Sequence, residues 1–378
     1  MDVASILKKI TVKRFVLYAI LLLAFLASMV FVNNNYSLYD QPIAEIVKID
    51  IKDTNKLVDV NDNEDRLTNQ EITAVLKNGG DKGKTIYLAN SYSLSKAYDY
   101  EYKVGQKVFV SINNDNMANE GLTGDIKEFK RDTHMVIITW VFIFILIIIG
   151  KKQGFLSIVS LVAIAILLSL ALDIYISNPK ISLILICALG AILFTSIALF
   201  LVNGFNEKTF SAIIATLLAT FSSLLITCLV IWISNDNGLR YEEMQFLTRP
   251  YKMVFIAGLF IGALGAVMDV AVTISSSMFS LYEQNNNISL KALKESGREI
   301  GKDIMGTMTN ILFFAYISGS IPILILYLKN NSPLGFTFAM NLSLELTRAL
   351  AGGIGIVLAI PIGIYTTLFF IRRKRARL

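Results

Sequence analysis

Residues 253–278 read MVFIAGLFIGALGAVMDVAVTISSSM, an apolar run that contains one acidic side chain, Asp269. A helix of roughly 20 apolar residues crosses a hydrocarbon core about 30 Å thick, so this run is long enough to span a membrane. Its small and polar residues recur every three or four positions and therefore share one helix face. They are Gly258, Gly262, Gly265, Asp269, Thr273 and Ser276. The run predicts a membrane helix with one polar face that is rich in glycine.

The composition extends this prediction to most of the chain. Of 378 residues, 54% are hydrophobic and 17% are charged, and the mean hydropathy is +0.59. Soluble proteins carry about 25% charged residues, and a soluble fold of this size cannot enclose so much apolar surface. Two cysteines, Cys187 and Cys228, exclude a disulfide scaffold, and one histidine, His134, excludes a histidine- or thiolate-rich metal centre. We expect a polytopic membrane protein without a cofactor.

Eight stretches are long and apolar enough to span a membrane. They are residues 15–32, 134–150, 155–172, 181–202, 210–234, 253–278, 304–328 and 351–371. With eight spans both termini share a side, and sixteen Lys and Arg residues fall there against six in the short loops opposite. Positive charge marks cytoplasmic loops, so both termini are expected in the cytoplasm. The first span reads as an uncleaved anchor; if it is a cleaved signal peptide instead, only the N-terminus changes side.

The polar segment between the first two spans predicts a small β domain outside the cytoplasm. Short strand-like runs occur at 43–51, 71–77, 85–89, 107–112 and 124–128, with turn residues between them. Five short strands in about 90 residues favour a barrel of the OB or SH3-like type. The expected organisation is an N-terminal transmembrane anchor at 1–32, an extracytoplasmic β domain at 33–132 and a seven-helix transmembrane domain at 133–378.

An acidic loop lies between the first two strand-like runs. Its oxygen-bearing residues are Asp59, Asn61, Asp62, Asn63, Glu64 and Asp65. Such oxygens suit Ca²⁺, but the loop lacks the glycine and the terminal glutamate of an EF-hand. A solvated acidic loop is the other interpretation, and a bound metal is left undecided.

Two further polar stripes lie in the last spans. In the seventh, Asp303, Thr307 and Asn310 align along one helix face that leads inward from the basic segment before it. Arg298 and Lys302 lie on a neighbouring stripe, where they can pair with Asp303 or with lipid phosphate. In the eighth region, Glu345 and Arg348 are one turn apart, and their face continues through the packing glycines Gly352 and Gly355. This region is too long for one straight span, so it predicts a helix broken at 352–353, a kink at Pro361, or an interfacial helix before the span.

Three blocks of sequence resemble the YibE/F-like family of multipass membrane proteins. They are GALGAVMDVAVTIS at 262–275, GREIGKDIMGTMTN at 297–310 and LTRALAGGIG at 346–355. The resemblance covers residues from about 136 to the C-terminus. The resemblance implies an integral membrane protein of a Gram-positive bacterium, and it implies little about activity.

The sequence supports three functional hypotheses. The first is a secondary transporter or permease of the cell membrane, in which Asp269 binds a coupling proton or cation because an ionised carboxylate in hydrocarbon needs water or a partner. Asp303, Thr307 and Asn310 would line its cytoplasmic half, and Glu345 with Arg348 its outer gate. The alternatives are a membrane scaffold that docks partners through the β domain, and an intramembrane enzyme with one of these carboxylates as acid or base.

The expected partners follow from the same features. They are the lipid bilayer, including anionic lipids at the basic C-terminal segment, and an unidentified small solute or ion. A second copy of the chain or a sister membrane subunit is a further candidate. Nucleic acid is not expected, because the basic residues that give the net charge of +6 flank apolar spans.

Overall fold

The structure is a computed structural model that describes residues 12–96, 99–113, 122–178, 181–244 and 250–377. It is mostly helical, with several long apolar helices and a small sheet domain near the N-terminus. Its contacts divide the chain into two compact units, Met1–Ile145 and Leu146–Leu378. Each unit has a hydrophobic cluster of its own.

The first unit contains a long helix, five strands and the beginning of a second helix. These elements are α1 (Val12–Asn34), β1 (Ile43–Val58), β2 (Glu64–Leu76), β3 (Thr85–Ser93), β4 (Lys107–Asn113), β5 (Leu122–Phe129) and α2 (Asp132–Ser177), which continues into the second unit. A strand lies at each of the five predicted places. β1 continues beyond its predicted end and β2 begins before its predicted start, because pairs such as Thr54 with Thr68 extend the ladder between them; the added residues of β1 are exposed.

The five strands pair in a closed ring in the order β1-β2-β3-β5-β4. β1 pairs with β2 and β4, β2 with β3, and β4 with β5, all antiparallel, whereas β3 and β5 pair in parallel. Alternate side chains of four strands fill the interior, since side chains of a strand point to its two faces in turn. Among them Ile46, Ile72, Ile86, Val108 and Val110 are each at most 2% exposed.

Asn78, at the end of β2, fastens the segment that leads from α1 into β1. Its side-chain amide donates hydrogen bonds of 3.0, 3.1 and 2.9 Å to the carbonyl oxygens of Tyr36, Tyr39 and Gln41. Its side-chain oxygen accepts a bond of 2.6 Å from the backbone N–H of Ile43. One buried side chain therefore bonds to four backbone groups of the segment that leads into the first strand.

A buried ion pair joins the last strand to both helices of the first unit. Lys130 is 4% exposed, and its ammonium group pairs with Asp132 and donates to the carbonyl oxygen of Val32 at 3.0 Å. The Asp132 carboxylate also accepts from Asn35 at 3.3 Å and from the Tyr39 hydroxyl at 3.0 Å. A buried charge is tolerated only when it is paired and hydrogen-bonded in this way.

Helix α2 folds back on itself at Lys151. A straight helix of 46 residues would be roughly 69 Å long, more than twice the thickness of a hydrocarbon core. Lys151 has φ 49° and ψ −122°, which no helix contains. A Cβ atom on Gly154 would lie 2.0 Å from the carbonyl oxygen of Leu146, eight residues earlier, so the two arms meet at this turn. The arms correspond to the predicted spans 134–150 and 155–172.

Six further helices complete the second unit. They are α3 (Leu183–Asn203), α4 (Glu207–Ile233), α5 (Tyr251–Gln284), α6 (Leu290–Ser318), α7 (Ile321–Lys329) and α8 (Leu334–Arg375). Among the described residues, six helices of the chain are long and apolar enough to span a membrane, or seven if α6 and α7 form one span. The predicted number of eight is reached only when the two arms of α2 are counted separately.

Two expectations about the last helices are corrected by the structure. The predicted span 304–328 is bent by 52° between α6 and α7, where Pro322 in the first turn of α7 lacks the N–H that a continuous helix needs. Helix α8 is continuous through Gly352 and Gly353, so the predicted break at this pair is wrong. Both glycines are buried, and packing against neighbouring helices offsets their low helix propensity.

Helices α5 and α8 lie at the centre of the second unit. α8 packs against α4, α5 and α6, and α5 packs against α3, α4, α6 and α8. Their shared core contains Val267, Ile274, Met278, Ile356 and Ile371, each 0% exposed. These two helices carry Asp269, Glu345 and Arg348.

Candidate functional site on α5

The polar face predicted for α5 lies on the outside of the second unit. Neighbouring helices cover the other faces of α5, where Phe255, Val267 and Ile274 are fully buried. The residues of the predicted face are exposed, and we call them the open face of α5: Gly258, Gly262, Gly265, Asp269 and Thr273. Ser276, the last predicted member, is half-buried. The carboxylate of Asp269 therefore lies outside the packed core, and among the described residues no neighbouring helix covers it.

Asp269 lies near the middle of α5 and has no side-chain partner within the described part of the chain. Thr273, one turn later, donates its hydroxyl to the backbone carbonyl oxygen of Asp269 at 2.7 Å and leaves the carboxylate free. The neighbouring hydroxyl of Ser275 points the other way and donates to the carbonyl oxygen of Lys208 at 2.9 Å. The carboxylate is therefore available to a proton, a cation or a group from outside the chain.

The glycines of the open face differ in what surrounds them. A Cβ atom on Gly258 or Gly265 would meet no atom within 4 Å. A Cβ atom on Gly262 would lie 2.1 Å from the hydroxyl oxygen of Tyr316, which reaches across from α6. The absence of a side chain at Gly262 therefore makes room for Tyr316 of α6, whereas the surface beside Gly258 and Gly265 is open.

The predicted polar stripe of α6 is exposed along its length. Asp303, Thr307 and Asn310 are all exposed. The Thr307 hydroxyl donates to the carbonyl oxygen of Ile304 at 2.9 Å. Among the described residues no hydrogen bond or ion pair joins this stripe to Asp269, and a site shared by the two stripes stays a prediction.

Glu345 and Arg348 form the ion pair that their spacing predicts. Their side chains are only 22% and 21% exposed, and the Arg348 guanidinium lies 5.2 Å from the centre of the Phe255 ring of α5. A cation over an aromatic face is attracted by the ring electrons. The pair thereby attaches α8 to the N-terminal part of α5.

The glycines predicted for packing on α8 do lie at helix contacts. A Cβ atom on Gly352 would lie 2.8 Å from Leu312 of α6. One on Gly355 would lie 2.7 Å from Val267 of α5 and 3.5 Å from Ser223 of α4. These glycines let three helices approach α8 closely, as small residues do between membrane helices.

Comparison with known proteins assigns a family to this arrangement. The family model described as YibE/F-like protein matches residues 138–373, and the one described as YibE/F family N-terminal domain matches residues 37–129. The chain belongs to the YibE/F family. No curated protein and no solved structure matches it.

The three blocks that resemble the YibE/F family lie on helices that touch one another. Residues 262–275 belong to α5, 297–310 to α6 and 346–355 to α8, and each of these helices packs against the other two. The family match therefore confirms the resemblance, and the packing of the helices brings the three blocks together. It assigns no activity to them.

Sequence reasoning missed a buried row of small residues on α4 of this YibE/F protein. The row is Ser211, Ala215, Ala219, Ser223 and Thr227, all buried. The Ser211 and Thr367 hydroxyl oxygens lie 3.0 Å apart, and Ser223 donates to the carbonyl oxygen of Ala351 at 2.6 Å. Small residues at every fourth position were the available signal, because they permit close helix packing.

A polar cluster between α4 and α5 was also missed. Asp236 pairs with the Lys252 ammonium at 2.7 Å and accepts a hydrogen bond of 3.1 Å from the Tyr241 hydroxyl. The bond from Lys252 lowers the pKa of Asp236. Partial burial, together with the hydrogen bond to Asp236, raises the pKa of Tyr241 above its ordinary value. The cluster holds together the loop between α4 and α5. Its members are separated in sequence without a regular spacing, so no pattern predicted it.

The acidic loop of the first unit forms the turn between β1 and β2. One carboxylate oxygen of Asp59 accepts the backbone N–H groups of Asn61 and Asn63 at 2.9 and 2.8 Å. Within the described residues, no three His, Cys, Asp or Glu side chains are grouped as metal ligands. Asp59 thus closes the turn, and we carry the calcium interpretation no further.

Proposed function

We propose that this YibE/F protein is a multipass protein of the bacterial cell membrane and acts as a secondary transporter of an unidentified small solute or ion. Asp269 binds the coupling proton or cation. The observation that carries the proposal is an ionisable carboxylate near the middle of a long apolar helix, exposed among glycines and hydroxyls. In hydrocarbon an ionised Asp costs about 2.5–3.5 kcal/mol, so a helix retains one where it faces water or an ion.

Placement in a membrane is supported by the outer surfaces of the helices. Large apolar side chains there are more than half exposed, for example Ile149, Leu225 and Phe314 at 77%, 69% and 67%. Water would not tolerate so much apolar surface, whereas lipid does. With the two arms of α2 as separate spans and α6 with α7 as one, the chain crosses eight times. The excess of positive charge then places both termini in the cytoplasm and residues 33–132 outside.

The outer domain is proposed to be a five-stranded barrel of the OB type. Its support is the closed order β1-β2-β3-β5-β4 with a single parallel pair, β3 with β5. The ends of this domain continue directly into α1 and α2, and the buried Lys130–Asp132 pair lies at this junction. We assign it no binding activity.

Charge movement tests the coupling role without knowledge of the solute. Purified protein in proteoliposomes is adsorbed to a solid-supported membrane, and the transient current is recorded after a jump in pH or in Na⁺. The wild type should displace charge in one of these jumps. Asp269→Asn should reduce this charge at least tenfold, and the matched control Asp173→Asn, on the exposed surface of α2, should leave it unchanged.

Two results would contradict the proposal. One is a wild type that displaces no charge with either cation. The other is an Asp269→Asn variant that displaces as much charge as the wild type at the same protein density.

A second function, as a membrane scaffold or subunit, is favoured by the uncovered glycines. Gly258 and Gly265 have open space beside them and lie two turns apart on one face, and small residues let helices of two chains approach closely. A second copy or a sister subunit would then cover the open face of α5. Disulfide crosslinking of Gly258→Cys in a background without Cys187 and Cys228 tests this. A rapid crosslink between copies favours association, and its absence, together with ion-driven charge movement, favours transport by the single chain.

A further inference from the structure

Helices α6 and α8 border a groove that is separate from the open face of α5. One half is almost wholly apolar, has a volume of about 380 Å³, and is lined among others by Thr309, Phe313, Leu350, Gly353 and Val357. The other half has a volume of about 350 Å³ and is lined among others by Lys294, Arg298, Lys302, Val357 and Tyr365. Val357 lines both halves, so the basic half and the apolar half adjoin each other on α8.

The basic end presents cations that the chain does not neutralise. Lys294 donates to the Tyr365 hydroxyl at 2.9 Å and lies over its ring, 4.9 Å from the centre. Arg298 and Lys302 are exposed, and within the described residues neither has an ion-pair partner. Because the Tyr365 oxygen accepts the bond from Lys294, its own O–H remains free to donate. The groove thus offers two cations and one hydroxyl donor to an anion.

Acidic residues of the same helix do not cancel this charge. Glu295, Glu299 and Asp303 belong to α6 but are not among the residues that line the basic half. Among the described residues none of these three carboxylates forms an ion pair with Arg298 or Lys302. The two cations are therefore available to an anion from outside the chain.

The length of the groove matches one leaflet of a bilayer. From Lys302 to Phe313 helix α6 rises by about 16 Å at 1.5 Å per residue. Half of a hydrocarbon core about 30 Å thick is about 15 Å. A molecule with its charged group at Lys302 would therefore reach the level of Phe313 with a chain of leaflet length.

We propose that this groove binds one anionic phospholipid of the cytoplasmic leaflet. Its phosphate contacts Arg298 and Lys302 and accepts the Tyr365 hydroxyl, and an acyl chain lies along Val357 and Phe313. A zwitterionic lipid would leave the cations without a net counter-charge, and a helix of a second copy would cover the apolar half but desolvate unpaired cations. The inference rests on the proposed membrane placement and on no transport activity.

Native mass spectrometry tests the charged half. Full-length protein is freed of lipid in detergent and titrated with equal amounts of dioleoyl phosphatidylglycerol and dioleoyl phosphatidylcholine. The wild type should retain one molecule of phosphatidylglycerol in clear preference to phosphatidylcholine. The double variant Arg298→Gln/Lys302→Gln should lose this preference by about 25-fold, since each cation contributes about fivefold to association with anionic lipid. Lys56→Gln/Lys82→Gln removes the same charge from exposed positions of the sheet domain and should keep this preference.

A second pair of variants tests the apolar half and keeps the proposal falsifiable if a charge variant misfolds. Val357→Trp fills the middle of the groove and should abolish the bound phosphatidylglycerol. Leu346→Trp, on an exposed part of α8 that does not line the groove, should not. Inorganic phosphate at millimolar concentration should not displace the lipid, because it lacks the acyl chain; displacement would mean that the groove is only a phosphate site and would overturn the proposal.

Three other results would also overturn it. These are equal retention of the two lipids by the wild type, unchanged selectivity in both groove variants, and a dimeric mass that only Val357→Trp converts to a monomer, which would identify a second copy as the occupant. None of these bears on charge movement at Asp269, so failure here is distinguishable from failure of the transport proposal.

Discussion

Two glycines of α6, five residues apart, allow a sharp test of the packing between α6 and α8. A Cβ atom on Gly301 would lie 2.4 Å from Cγ2 of Ile360, well inside van der Waals contact. A Cβ atom on Gly306 would meet no atom within 4 Å. The substitutions Gly301→Ala and Gly306→Ala therefore each add one methyl group to the same helix. The position is crowded at 301 and open at 306.

The expected magnitudes follow from two effects. Alanine favours a helix over glycine by about 0.8–1.0 kcal/mol, so Gly306→Ala should stabilise the protein by about that amount. Gly301→Ala receives the same gain but overpacks the contact with Ile360, which costs about 1–3 kcal/mol. Ile360 is β-branched and cannot rotate away freely. The free energies of unfolding of the two variants should therefore differ by about 1–3 kcal/mol, with Gly301→Ala the less stable.

The assay is SDS-induced unfolding in mixed micelles, followed by circular dichroism. Ile360→Ala removes the opposing atoms, so Gly301→Ala should become stabilising in that background. Equal stabilisation by both alanines in the wild-type background would refute the predicted contact between α6 and α8.

Three further predictions concern other parts of the chain. Gly124→Ala should disrupt the outer domain, because its Cβ would lie 2.1 Å from the carbonyl oxygen of Ser111; limited proteolysis should then cut residues 33–132 faster. Lys130→Met should lower the thermal midpoint by leaving Asp132 buried without its cation, at a cost of about 3–5 kcal/mol, whereas the doubly neutral Lys130→Met/Asp132→Asn should recover most of it. The lowered pKa of Asp236 stabilises the folded state at neutral pH and ceases to do so as the pH falls through that pKa, so the difference in midpoint between wild type and Asp236→Asn should shrink from pH 7 to pH 3.

The features with a strong local pattern were predictable from the sequence. The long apolar runs gave the helices, and alternation gave the five strands. The three- and four-residue spacing of Gly262, Gly265 and Asp269 correctly placed them on one face. The ion pair of Glu345 with Arg348 followed from a separation of one turn, since such residues are neighbours on any helix.

What depends on tertiary contact was not predictable. The glycine pair at 352–353 suggested a break, but Leu312 packs beside it and α8 continues. The rotation of α5 and α6 relative to each other is not specified by any sequence period, so the sequence could not tell whether Asp303 and Asn310 bond to Asp269. Lys294 and Tyr365 meet although 71 residues separate them. Such pairs exist only once the helices are packed.

Access of water to position 269 tests the central claim most directly. Asp269→Cys and, as a control on the exposed apolar surface of α4, Leu218→Cys are made in a background that lacks Cys187 and Cys228. A membrane-impermeant methanethiosulfonate reagent reacts with the thiolate, which forms only in contact with water. We predict that Asp269→Cys in sealed proteoliposomes is modified at least tenfold faster than Leu218→Cys, from one side of the membrane or the other. Equally slow modification of both would mean that the side chain at 269 faces a dry contact or lipid, and would contradict a hydrated ion site on α5.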